Sequence, residues 1–315
     1  MPTLLKYVLV TPARDEVRFV ELAIKSVIAQ RVRPIRWVIV SDGSTDGTDE
    51  VVKGYSAAHR WIELIRMPER VERDFAGKVY AFNAGYARVR DLQYDAIGSM
   101  DADISFDSDY FAFLLGKLAE DPGLGLVGTP FQNGAQSTYN YRFTSIEHVS
   151  GACQLFRREC FEQIGGYVPM KAGGIDQFAV LAARMKGWKT RTFTEKTCQH
   201  HREMGTAGRG WLAASFNQGV KDYAFGGHPV WEMFRLGYQM TRRPVILGGL
   251  ALGAGYFWAA VQCLERPIPS EMVAFRRREQ MERLKALLCN VNRRPVAANG
   301  LVLRGGCPSS RRPSL

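Results

Sequence analysis

The sequence predicts an α/β fold, a mixed, mainly parallel sheet flanked by helices. Two observations carry this. Apolar runs of strand length alternate with stretches of helical periodicity, and two acidic motifs, Ser41 to Thr48 and Asp101-Ala102-Asp103, each follow directly on an apolar run. Strands alternating with helices at this spacing pair in parallel through right-handed crossovers. Ligands of such sheets gather at the carboxyl ends of the strands. Thr11, Asp42 and Asp101 all fall at such ends, so residues far apart in the chain are expected to converge there.

Taken in order, Leu4–Val10 is an apolar run that stops at Thr11-Pro12, the punctuation of a strand entering a loop. Between Glu16 and Gln30, Val20, Ile24, Val27 and Ile28 recur at helical spacing. Ile35–Val40 is the next strand, and Thr48 is suited to cap the helix after it. A third strand is expected at Trp61–Ile65, a helix at Gly77–Val89, and a strand at Ala96–Met100 that delivers Asp101 and Asp103. Tyr110–Leu118 reads as a helix and Leu124–Val127 as a strand. Beyond Gly151 the order loosens: strand at Ala152–Phe156, short helix at Cys160–Ile164, helix at Asp176–Gly187, strand at Trp188–Phe193. The resulting division is an α/β domain over 1–228, a helical region over 229–290 and a basic tail, 291–315, too rich in Arg, Pro, Gly and Ser to order.

Composition narrows the partners. The chain has 315 residues, 46% hydrophobic and 23% charged, as an ordinary globular protein does, and its net charge of +11 calls for an anionic partner. Arginines thicken at Arg242-Arg243, Arg276-Arg277-Arg278, Arg293-Arg294 and Arg311-Arg312, around and beyond an apolar segment. With no zinc-finger spacing and no aromatic-basic signature of an RNA-binding sheet, nucleic acid is not expected, and lipid headgroups account for the charge better. Six widely spaced cysteines argue against a zinc site or a secreted disulfide framework and fit a reducing cytoplasm. Met1-Pro2-Thr3 does not open a signal peptide.

Asp42 sits in a turn whose small residues let a ligand approach the backbone, and its carboxylate can accept the N–H of a uracil-type base. In Asp101-x-Asp103 an extended backbone puts both carboxylates on one side. Two hard oxygen ligands suit Mg²⁺ or Mn²⁺ on a diphosphate.

These segments, with Thr11-Pro12-Ala13-Arg14-Asp15-Glu16, Gly77-Lys78, Ala81 to Gly85, Gly151 to Arg158, Ile164 to Tyr167 and Gly174-Ile175-Asp176, resemble family 2 glycosyltransferases of the GT-A fold over roughly residues 1–225. The resemblance implies that Asp42 and the Thr11, Pro12, Asp15, Glu16 loop hold the nucleoside, with Lys78 nearby. Asp101 would approach the ribose and share the metal, Asp103 would bind the metal, and Asp176 would be the catalytic base. The chain departs from the family's habit at Ser41, where a second acid is common, at Asp15, where Asn is common, and at Ile175, where Glu is common.

Gln199-His200-His201-Arg202 partly resembles the Gln-x-x-Arg-Trp element of processive members, but Glu203 replaces the Trp, so processivity is not expected. Arg202 is suited to clamp the diphosphate and one imidazole, assigned as His201, to complete the metal's coordination. Val245 to Leu264 is about one bilayer's worth of apolar residues and contains Gly249-x-x-x-Gly253, a close-packing helix face. It is expected to span, dip into or lie on the cytoplasmic face of the inner membrane, with Ala274–Leu288 as a basic surface helix.

The function expected is inverting, metal-dependent transfer of a sugar from a nucleotide-sugar, of UDP type, to a polyprenyl-diphosphate-linked saccharide in envelope or exopolysaccharide synthesis. A soluble transferase with a non-lipid acceptor is the alternative. A nucleotidyltransferase would want a Gly-rich phosphate loop near the N-terminus, and Thr11–Glu16 has no glycine.

Overall fold

The computed structural model describes residues 5–70, 74–133, 136–137, 145–171, 173–202, 210–240 and 246–292. The tail after 292, Arg242-Arg243, Val245 and Glu203 therefore lie outside the described residues. In the first part strands and helices alternate strictly: β1 (Tyr7–Ala13), α1 (Val20–Ile28), β2 (Arg36–Asp42), α2 (Thr48–Ala58), β3 (Ile62–Met67), α3 (Ala76–Val89) and β4 (Ala96–Met100). There follow β5 (Ile104–Ser105), α4 (Tyr110–Glu120), β6 (Leu124–Gly128), β7 (Phe131–Asn133), β8 (Gln136–Ser137), β9 (Cys153–Arg157), α5 (Arg158–Gln163), α6 (Ile175–Met185), β10 (Lys189–Thr192) and β11 (Cys198–His200). Four helices come last: α7 (Trp211–Ala224), α8 (Pro229–Met240), α9 (Leu247–Val261) and α10 (Ser270–Asn292).

Seven strands form one sheet in the order β10-β6-β9-β4-β1-β2-β3. All neighbours are parallel except at β9, which runs antiparallel to both β4 and β6. The sheet is therefore mixed, not built of crossovers throughout. Helices cover both faces, which is why the strands read as continuous apolar runs. In β1, Tyr7 and Leu9 face a core shared with Ile24, Trp37 and Phe111. Val8 and Val10 face the opposite core, with Val40, Phe82 and Phe161. The chain leaves β1 towards β2 and β3 and returns on the other side as β4. A crevice thus opens between the ends of β1 and β4, the switch point where α/β sheets bind ligands.

A second, small sheet of order β5-β11-β7-β8 had no counterpart in the sequence reading. Its β11 pairs antiparallel with β5, bringing Gln199 to Ser105 and His200 to Ile104. The expected cap at Thr48 is also corrected. Gly47 is the N-cap at φ +95°, and Thr48 is the first helical residue. Asp46 does the capping, with Oδ1 accepting from the Thr48 N–H at 3.0 Å.

No helix of the described residues is long and apolar enough to cross a membrane. Helix α9 has 15 residues, about 22 Å, against a hydrocarbon core of about 30 Å. Its glycines serve packing within the protein. A Cβ at Gly249 would stand 2.6 Å from Met240 Cγ, and one at Gly253 2.9 Å from Leu236 Cδ2, both on α8. At Gly255 a Cβ would collide with the Phe216 carbonyl of α7. The arginine run on α10 is likewise partly structural rather than a free basic face. Arg276 is buried and donates from Nη1 to Phe225 O at 2.7 Å, and Arg277 Nε donates to Gly226 O at 3.2 Å. Ile268, Met272 and Val273 around the start of α10 join the core that holds Phe225 and Ile175.

Candidate active site

The loops after β1 and β2 are clasped together by four hydrogen bonds. The Asp15, Glu16 and Val17 N–H groups donate to Ser44 Oγ (3.1 Å), Thr48 Oγ1 (2.8 Å) and Asp46 Oδ2 (2.9 Å). In return the Thr45 N–H donates to Asp15 Oδ1 at 3.1 Å. Asp15 has φ +54°, a conformation that Asp and Asn tolerate best after Gly. Thr11 is buried, its Oγ1 accepting from Trp37 Nε1 at 2.9 Å. Thr11 and Asp15 thus shape the cleft from behind, and neither side chain lines it.

Pro12, Glu16, Asp42, Lys78, Asp101, Asp103 and Arg202 do line it, in an outer cavity of about 480 Å³. Asp42 ends β2 and is held from two sides by Arg70, Nε to Oδ1 at 3.0 Å and Nη2 to Oδ2 at 2.5 Å, with Arg14 Nη1 at 3.8 Å. A Cβ at Gly77 would collide with the Arg70 guanidinium, so the pairing depends on that glycine. Neither arginine was identified from sequence. The signal was present in strand order: β2–β3 register sets Asp42 against Met67, so residues just after β3 emerge beside Asp42.

Lys78, in the first turn of α3, donates from Nζ to Asp101 Oδ1 and to Gly151 O at 3.4 Å. Burial works against its charge, but the carboxylates around it, Asp101 first and then Asp176 and Asp103, together outweigh burial and hold the ammonium pKa above its usual value. Glu16 is pushed up to about 7, first by burial and then by Asp103, with Arg202 pulling the other way. Arg202 sits among these acids, Nη2 at 2.7 Å from Glu16 Oε2 and Nε at 3.6 Å from Asp103 Oδ2.

Asp101, Asp103 and His200 each turn one ligand atom into a common point, all within 4.8 Å of one another. The His200 ring is fixed by Nδ1 at 2.7 Å from Arg202 O. A carbonyl can only accept, so Nδ1 carries a proton, and Nε2 is the ring atom turned to the carboxylates, 3.6 Å from Asp103 Oδ1. Two carboxylates and an imidazole oriented in this way fit a divalent ion such as Mn²⁺ or Mg²⁺. The sequence assignment of the imidazole to His201 is corrected. His201 Nε2 is 2.8 Å from Ser105 Oγ, and its ring stacks on Phe19 at 6.2 Å.

Past Lys78, Asp101 and His200 the cleft continues into an inner cavity of about 250 Å³ that reaches Asp176. Asp176 is the second residue of α6, after Gly174 at φ +88°. A Cβ at Gly151 would lie 3.0 Å from Asp176 Cβ, so that glycine makes the room in which the carboxylate stands.

A switch-point cleft with a carboxylate–imidazole cluster at one side and a helix-borne carboxylate at the other is the layout of a GT-A-type transferase. The family model for glycosyl transferase family 2 matches residues 8–165, just over half of the chain, and the protein belongs to that family. Poly-beta-1,6-N-acetyl-D-glucosamine synthase of Staphylococcus aureus (strain COL) is 27% identical over 137 residues, 43% of this chain and 31% of the relative. The chain therefore spans under a third of the curated relatives' length. Among solved structures, a mannosyltransferase from Pyrobaculum calidifontis in complex with GDP-Man and Mn²⁺ superposes with TM-score 0.56 at 19% identity, over 91% of this chain and 81% of that one. S. aureus TarS 1–349 with UDP-GlcNAc gives 0.53 at 10% identity, over 86% and 78%. Both likenesses establish the fold.

Proposed function

We propose that the protein is an inverting, metal-dependent glycosyltransferase that moves a sugar from a nucleotide-sugar, of UDP type, to a hydroxyl of a polyprenyl-diphosphate-linked saccharide in envelope or exopolysaccharide synthesis. The observation that carries this is the convergence of Asp42, the Asp101–Asp103–His200 cluster and Asp176 in one continuous cleft. Relatives described with GDP-Man and Mn²⁺ or with UDP-GlcNAc support the donor class. In this reading Asp42 and the Pro12–Glu16 loop hold the nucleoside. Asp176 takes the acceptor hydroxyl's proton as its oxygen attacks the anomeric carbon. The bond from that carbon to the diphosphate breaks on the opposite face, and the diphosphate leaves with the electron pair. Lys78 and Arg202 lie on the path of that charge. A bound Mn²⁺ or Mg²⁺, held by Asp101, Asp103 and His200, would offset the leaving group's charge.

Thermal-shift measurements test the donor. A ligand that binds the folded state raises its stability as RT ln(1+[L]/Kd). UDP and UDP-sugars are expected to raise Tm with Mn²⁺ and much less without it. No shift from any nucleotide or nucleotide-sugar, with or without metal, would overturn the reading.

The acceptor half rests on a surface. Leu250, Phe257, Trp258 and Val261 of α9 are exposed, Val261 at 79%, and Val230 and Met233 of the neighbouring α8 are exposed too. With a chain charge of +11, an acidic membrane is the occupant this face suits, docked in the interface plane at the cytoplasmic face of the inner membrane, not spanned. Truncation before α9 is a poor test, since it would strip Ile268, Met272 and Val273 from the core. Glutamate at Leu250, Phe257, Trp258 and Val261 together is the better one. Wild-type protein should sediment with membranes through a high-salt wash, and the variant should stay in the supernatant with its donor-induced Tm shift intact. Wild-type protein found soluble at low salt without detergent would remove both the membrane and the lipid-linked acceptor.

A further inference from the structure

The inner cavity has a chemical character of its own. Its wall is apolar and aromatic, formed by Val79 and Phe82 of α3, Phe131 of β7, the Tyr167 ring and Ile175. The polar side chains Ser99, Ser150 and Gln154 at its floor each have a partner within the protein, Ser99 hydrogen-bonding to Tyr167. Gln154, the fully buried second residue of β9, donates from Nε2 to Val149 O at 3.0 Å and accepts from the Tyr167 hydroxyl at 2.7 Å on Oε1. Ser150 Oγ accepts from the Ala152 N–H at 3.3 Å. Charged groups stand at the mouth, where Lys78 meets Asp101, and at Asp176.

A sugar hydroxyl turned to that wall would lose water and find no replacement among the described wall residues, which disfavours it. A methyl there loses nothing and gains apolar burial. We infer that the donor sugar carries a methyl-terminated substituent, an acetamido group or a 6-deoxy methyl, that lies against the Val79–Phe82–Phe131–Ile175 wall. The ring's remaining hydroxyls are left to Lys78, Asp101 and Asp176. This rests on the nucleotide-sugar reading above and narrows it to a class of sugar.

Matched donors on the full chain with Mn²⁺ test it. The pairs are UDP-GlcNAc with UDP-glucose, UDP-GalNAc with UDP-galactose, and GDP-L-fucose with GDP-L-galactose, and the first two separate an acetamido group from the deoxy methyl of the third. In at least one pair the methyl-bearing member should bind roughly tenfold tighter or better, the discrimination an apolar pocket supplies. Val79→Thr, which keeps the wall's shape but adds a hydroxyl, should shrink that ratio at least about threefold. If nucleotide-sugars bind but both members of every pair bind alike, or the hydroxyl member binds tighter, the inference is wrong and the transferase reading stands. A ratio unmoved by Val79→Thr would likewise remove the wall from recognition. Failure of every nucleotide and nucleotide-sugar to bind would sink the transferase reading itself, and this inference with it.

Discussion

Asp103→Ala abolishes metal-dependent binding of nucleotide diphosphates while the protein stays folded. Asp103 is buried, so its loss could be feared to unfold the site, but its surroundings argue otherwise. It stands with Asp101 and Glu16 in a crowd of carboxylates, and its charge is one cause of Glu16 being pushed up to about 7. Removing it relieves like-charge repulsion, whereas its partners His200 and Arg202 keep other bonds, to Arg202 O and to Glu16. Sites of this kind are held at some cost in stability, so an unchanged or slightly raised Tm is expected without ligand. What is lost is one of two hard oxygen ligands, and with it the Mn²⁺-dependent part of the Tm shift produced by UDP or GDP. Full nucleotide-diphosphate affinity, still dependent on Mn²⁺, in the alanine variant would take Asp103 out of the site.

The same cluster shows where sequence reasoning succeeded and where it stopped. Asp42, Asp101 and Asp103 were legible because each follows an apolar run, and a parallel sheet brings strand ends together whatever the exact pairing. The choice between His200 and His201 was not legible. Successive residues of a strand face opposite sides, so one step of register exchanges the two imidazoles. That register is set by pairing with Ile104 and Ser105, almost a hundred residues away, and local sequence does not encode it. Arg70 was missed for a related reason, since it reaches Asp42 only through the register of β2 on β3. The antiparallel course of β9 was hidden because its apolar residues, buried on both faces, look the same in either direction. Arg276 read as a surface charge because its partners, Phe225 O and Asp222, lie on a helix some fifty residues earlier.

Asp176→Asn lowers turnover by a factor on the order of a hundred to ten thousand, the usual contribution of a general base. The side chain leaves the first turn of α6 into the inner cavity, in space kept open by Gly151, and on the far side of Lys78 and Asp101 from the nucleoside half of the cleft. Asparagine keeps that shape and fills the same volume, so the Tm shift with donor and Mn²⁺ should match wild type. It cannot accept a proton from the incoming hydroxyl, so nucleotide release should slow whether the acceptor is a saccharide or water. Weakened donor binding with turnover otherwise preserved would make Asp176 a positioning group for the sugar. Turnover within about threefold of wild type would mean that another group deprotonates the acceptor. The other carboxylate and the imidazole that line the inner cavity, Asp101 and His200, belong to the candidate metal cluster. Groups committed to an ion are poor rivals for Asp176, the carboxylate of that cavity that stands outside the cluster.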